Sequence, residues 1–137
     1  MAQVDTQVRE TVRVRRDVSP AWAWGTGIAW VAGYQAMLEL EPTPTSPDAL
    51  PGFLLTLMAI AVNVGLIVMV AGLVHRARWA FTASGALSVL VVGQVVACPI
   101  TGHHALGVWW AAQAAIAVGL VALSLAGWQA AARSARA

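Results

Sequence analysis

Within seven residues, Cys98-Pro99-Ile100-Thr101-Gly102-His103-His104 gathers the chain's single cysteine and two of its three histidines. Thiolate and neutral imidazole are ligands for copper, zinc or haem iron. Histidines can also move protons near neutral pH. The segment therefore offers Cys98, His103 and His104 as metal or haem ligands, and His103 and His104 as acid–base groups. A helix opening at His103 would place both imidazoles in its first turn, where the dipole disfavours the imidazolium and leaves the form that binds metal. Adjacent helical residues point about 100° apart, so one histidine with Cys98 is the easier pair. Glu39, Glu41, Asp48 or a second subunit would have to complete the site. A plainer reading has Thr101 capping the helix, the histidines at an interface and Cys98 packed as a small hydrophobe. The spacing matches no closed zinc motif.

A second constellation is made of amides in otherwise apolar stretches: Gln35, Asn63, Gln94 and Gln113. An amide buried in hydrocarbon without a partner is costly, so these side chains should face one another or water. With Tyr34, Ser88, Trp109 and Trp110 they are expected to line a pocket below the histidine pair, Gln113 lying about 14 Å beneath His104 at the helical rise. The bland equivalent is that the amides simply glue helices together.

The elements that must position these groups are four apolar segments, at about 20–40, 51–74, 79–98 and 103–132. Each is long enough for a bilayer core of about 30 Å. Ser19 is placed as N-cap of the first, with Pro20 as its first helical residue, and Pro99 is expected to stop the third. The proline-rich stretch from Glu41 to Asp48 is too polar to span and forms a loop. Short connections make neighbouring segments antiparallel. The expected fold is an all-α integral membrane protein, an up-down bundle of four transmembrane helices.

Orientation follows from charge. All eight basic residues are Arg: four between Arg9 and Arg16, then Arg76, Arg78, Arg133 and Arg136. They fall on one side of the four segments, which makes both termini cytoplasmic and puts Cys98, His103 and His104 outside. Residues 1–19 form a basic cytoplasmic segment, in which Val4, Val8 and Val12 recur at helical spacing, and 133–137 a cytoplasmic tail. Trp22, Trp24, Trp79 and Trp128 fall at the inner interface and Trp109 and Trp110 nearer the outer one, while Trp30 sits mid-span as an exception.

Composition agrees: of 137 residues, 59% are hydrophobic and 10% charged. That length leaves no room for a separate soluble domain. The sequence pI near 9.5 is explained by arginines beside membrane ends, with anionic lipid rather than nucleic acid as their partner. A single cysteine excludes an intramolecular disulfide. The first apolar run is too long for a cleavable signal peptide. The spans carry no central Asp, Glu, Lys or Arg, which disfavours an ion-coupled carrier. His75 lies on the inner side, a bilayer away from the other histidines. No phosphate loop, nucleophile elbow or zinc-protease motif is present.

Small residues recur every fourth position in Gly107, Ala111, Ala115 and Gly119, and again in Ala61 and Gly65. Such rows let helix backbones approach closely in lipid. Three readings follow. The chain is a binding or accessory component of a cell-membrane assembly, with an outward-facing polar pocket and the segment-four row contacting a second copy or a partner membrane protein. Alternatively it is a membrane-embedded enzyme or redox protein working through Cys98, His103 and His104. The third reading is an oligomeric pore or small exporter lined by the amides. The first asks least of the sequence.

Overall fold

The computed structural model describes residues 18–43, 52–100 and 106–134. Every regular element among them is helical: α1 (Pro20–Leu40), α2 (Gly52–Val74), α3 (Trp79–Ile100) and α4 (Val108–Ser134). Three are long and apolar enough to cross a membrane, over Leu57–Val74, Trp79–Ala97 and Val108–Ser134. α1 is not among these three; Gly, Tyr34, Gln35 and Glu39 dilute its apolar stretch. The surface helix expected around Val4, Val8 and Val12 lies outside the described residues, as does most of the proline-rich loop.

α1 begins where its local chemistry directs. Ser19 is extended (φ −64°, ψ 145°), and its hydroxyl accepts the Trp22 N–H at 3.3 Å with Pro20 as first helical residue. That arrangement satisfies a donor the helix cannot pair internally. At the end of α2 the chain turns on a left-handed residue, Arg76, with φ 58°. Arg76 N–H donates to Leu73 O and Ala77 N–H to Gly72 O, both at 2.8 Å. This is the Schellman pattern, in which glycine is the usual left-handed residue. Arginine gains a compensation there: its Nε donates to Val18 O at 2.7 Å, tying the α2–α3 turn to the chain entering α1.

Two boundaries differ from expectation. α3 runs through Pro99 to Ile100 instead of stopping before it. Pro99 has no N–H to give Val95 O four residues back, and the Trp110 indole N–H of α4 donates to that carbonyl at 2.9 Å. A tertiary contact thus replaces the missing helical bond. α4 begins at Val108, not His103, so its first turn holds Trp109 and Trp110 and not the histidine pair; it ends at Ser134 rather than near residue 132.

The helices form a closed ring. α1 packs against α2 and α4, and α3 packs against the same two. Close approaches fix the direction of each pair. Gly65 meets Leu87 and Gly72 meets Trp79 between α2 and α3; Gly33 meets Ile116 between α1 and α4. Gly127 lies against the Phe81 ring between α4 and α3, and Gly27 near Leu73 between α1 and α2. Numbers rise on one helix as they fall on its neighbour, so all four contacts are antiparallel.

Trp30 fills the centre. It is 1% exposed, and its indole N–H crosses the ring diagonal from α1 to donate to Ser84 Oγ of α3 at 2.7 Å. Its mid-span position, anomalous for an interface tryptophan, is that of a core residue with a satisfied polar edge. Ser84 Oγ also bonds Ser124 Oγ of α4, and Ser88 Oγ lies 3.3 Å from the same atom. The interior is thus a small hydroxyl ladder among Met69, Leu73, Phe81, Val91 and Leu120. Outward, the bundle is apolar: Ile60, Val64, Ile67, Val89 and Val118 are all exposed. Apolar side chains on both the inner and outer faces are what a bundle immersed in lipid shows.

Candidate functional site

At the end of the bundle opposite the Arg76 turn, three of the eight expected pocket residues meet. Tyr34 of α1, Gln94 of α3 and Gln113 of α4 line one crevice, with Met37, Glu41 and Val95 completing its walls. α1 brings Tyr34, Met37 and Glu41 to the same rim because they lie about one turn apart. The crevice leaves about 10 Å³ open to a water-sized sphere, the lower limit for a single water molecule.

Its buried amide is engaged by the fold. Gln113 is buried, and its Nε2 donates to Met37 O at 2.8 Å. Met37 lies in the last turn of α1, where carbonyls lack helical donors; the Glu41 N–H that would reach it in a longer helix goes to Leu38 O instead. Trp110 serves Val95 O in the same way. α4 therefore caps one carbonyl on each of its two neighbours.

The remaining expected residues are dispersed. Asn63 is exposed on α2; its Nδ2 donates to Ala59 O at 2.8 Å, and its side chain hydrogen-bonds Tyr34. Gln35 faces outward, donating to Glu39 Oε1 at 2.9 Å. Trp109 is half-buried beside the start of α4. The Cys98 side chain, His103 and His104 lie outside the described residues. Among the described residues no group of three or more His, Cys, Asp or Glu is placed to hold a metal ion.

Sequence reasoning missed the ladder of Ser84, Ser88 and Ser124, having singled out Ser88 alone as a pocket residue. The signal was available: Ser84 and Ser88 are one turn apart on α3, with Ser124 in the middle of α4. Thr26 was missed too. It is fully buried and its Oγ1 has no hydrogen-bond partner among the described residues.

Two grooves run down the outside of the ring. One, of about 450 Å³, lies between α1 and α2 and is floored by Ala23, Gly27 and Leu73. The other, of about 500 Å³, lies between α3 and α4, walled by Phe81, Val89, Val121 and Leu125 over a floor that includes Gly85, Ser88 and Ser124. Both serines already donate within their own helices, to Ser84 O and Leu120 O respectively, so the floor presents little free polarity. No protein family, characterised protein or solved structure matches the chain.

Proposed function

We propose that the chain is a non-catalytic binding component of a cell-membrane assembly: a four-pass bundle whose termini both lie in the cytoplasm. The observation that carries this reading is the engagement of three of the four amides of the helices. Gln113, Asn63, Gln35 and Trp110 each donate to a protein acceptor, and the crevice that Gln113 lines with Tyr34 and Gln94 has room for one water molecule. Groups held in this way act as interhelical glue and have little left to offer a substrate.

Membrane placement of α1 draws on its neighbours. It is 21 residues long, about 31 Å at the helical rise, and it lies antiparallel to two helices that can span. The arginines support the orientation: Arg76 and Arg78, the Val18 carbonyl bound by Arg76, and Arg133 lie at one end of the ring. The row on α4 is the surface for a second copy or a partner helix. Ala111, Ala115 and Gly119 are exposed, and nothing lies within 4 Å of where a Gly119 side chain would begin. Small residues there let a partner backbone come close.

Two measurements on the purified protein test the reading. Elemental mass spectrometry with an absorption spectrum is expected to find no stoichiometric metal or haem. Copper, zinc or haem present at one per chain, and lost when Cys98, His103 and His104 are all replaced by Ala, would move the function to the outer face. In mild detergent, the particle is expected to be larger than one 14.3 kDa chain and to shrink in Ala115→Leu. An assembly unchanged by that substitution removes the α4 row as the interface.

A further inference from the structure

Toward the arginine end of the bundle, the groove between α3 and α4 runs up to the turn that carries Arg78. Arg78 is exposed, and its guanidinium makes no hydrogen bond or ion pair with any described residue, whereas the Arg76 guanidinium is bound to Val18 O. Arg78 stands one turn before Thr82, on the same face of the chain that presents Phe81, Gly85 and Val89 to the groove. Thr82 and Trp128 line the same end, and neither side chain hydrogen-bonds another described residue. One exposed cation thus stands one turn before the end of an otherwise apolar channel whose lining carries two neutral donors.

The channel has the length of one leaflet. From Phe81 to Val92 it extends about 16 Å along α3, against a half-thickness of about 15 Å for a bilayer's hydrocarbon core. Its volume of about 500 Å³ falls within the range of small-molecule sites, roughly 300–1,000 Å³. We propose that this groove holds one acyl chain of an anionic membrane phospholipid, whose phosphate is bound by Arg78 with Thr82 and Trp128 as additional donors. Charge complementarity selects the occupant. A partner helix would have no use for a lone arginine at the channel mouth, and a zwitterionic lipid would gain less from it. The open position at Gly85, where a side chain would meet nothing within 4 Å, is the part of the floor on which the chain rests.

The site depends on the membrane placement proposed above but not on which leaflet Arg78 faces. The full-length protein is transferred into micelles containing equal amounts of phosphatidylglycerol and phosphatidylcholine, and retained lipid is counted by native mass spectrometry. Wild type is expected to keep one phosphatidylglycerol in preference to phosphatidylcholine. Arg78→Gln is expected to weaken that retention by about fivefold, the effect of one arginine at an anionic surface. Gly85→Leu, whose Cβ would meet nothing within 4 Å and whose side chain would occupy the channel, is expected to abolish it while leaving far-UV circular dichroism unchanged. Gly27→Leu, in the other groove, is expected to retain the lipid as wild type does. Equal retention of the two lipids, or undiminished binding in either Arg78→Gln or Gly85→Leu, overturns the site. Loss in Gly27→Leu equal to that in Gly85→Leu does so too. None of these outcomes bears on topology, which is read separately by labelling of the intact membrane.

Discussion

Replacing Trp110 by Phe tests the link between α3 and α4 at the residue where a proline breaks the helical ladder. The substitution removes the donor that reaches Val95 O at 2.9 Å. Pro99 cannot supply another, so the carbonyl is left unpaired beside a side chain that is 4% exposed. An unpaired buried polar group costs about 1–3 kcal/mol, and hydrogen bonds between membrane helices measure about 0.6 kcal/mol on average and up to about 1.7. Loss of part of a half-buried ring adds about 1 kcal/mol. The expected destabilisation of Trp110→Phe is therefore about 2–3 kcal/mol. In a Pro99→Ala background the alanine N–H can serve Val95 O, and only the packing loss of about 1 kcal/mol should remain. The coupling in the double-mutant cycle is then about 1–2 kcal/mol, read from reversible SDS unfolding in mixed micelles followed by circular dichroism. Costs for Trp110→Phe that agree within about 0.5 kcal/mol in the two backgrounds, the limit of additivity, would refute the reasoning.

Other consequences follow from the core. Gly127→Ala drives a methyl group into the Phe81 ring and is expected to destabilise by about 1–3 kcal/mol, with partial recovery in Phe81→Leu, measured by the same unfolding assay. Thr26→Val removes a buried hydroxyl that has no partner among the described residues while keeping its volume, so stability should hold or rise by up to about 1 kcal/mol; a fall of that size would mean the hydroxyl is bonded after all. Ser84→Ala strands the Trp30 indole N–H and should cost about 1–3 kcal/mol. In a Trp30→Phe background that loss should shrink, and an unchanged one would show the bond to be unimportant.

Much of the fold is visible in the sequence because its signals are local. Ser19 and Pro20 carry the start of α1 in their own side chains, and four apolar runs separated by polar turns give four helices. The departures have tertiary causes. Nothing near Pro99 announces that α3 will continue, since the compensating donor is Trp110, beyond the connecting segment. Arg76 hides a Schellman turn because glycine is the residue such a turn advertises. Helix faces were harder still. Membrane helices are apolar all round, so periodicity cannot separate core from lipid. The every-fourth-residue row on α4 could have served the bundle or a partner; Ala111, Ala115 and Gly119 point outward while Gln113, Ala117, Leu120 and Ser124 point in, so it does not pack the bundle's own interior. Of the expected pocket, Tyr34, Gln94 and Gln113 converge. Gln35 and Asn63 do not, because their positions on α1 and α2 turn them toward the outside of the ring.

The central claim, that α1 crosses the membrane with the other three helices and leaves both termini on the arginine side, is tested most directly by thiol labelling. In a Cys98→Ser background, single cysteines replace Asp17, Thr43 or Ala137 and are challenged with an impermeant maleimide on intact cells and after permeabilisation. The account predicts that position 43 labels from outside, and that 17 and 137 label only once the membrane is opened. Labelling of positions 17 and 43 from the same side would show that α1 does not cross, and would contradict the four-pass arrangement.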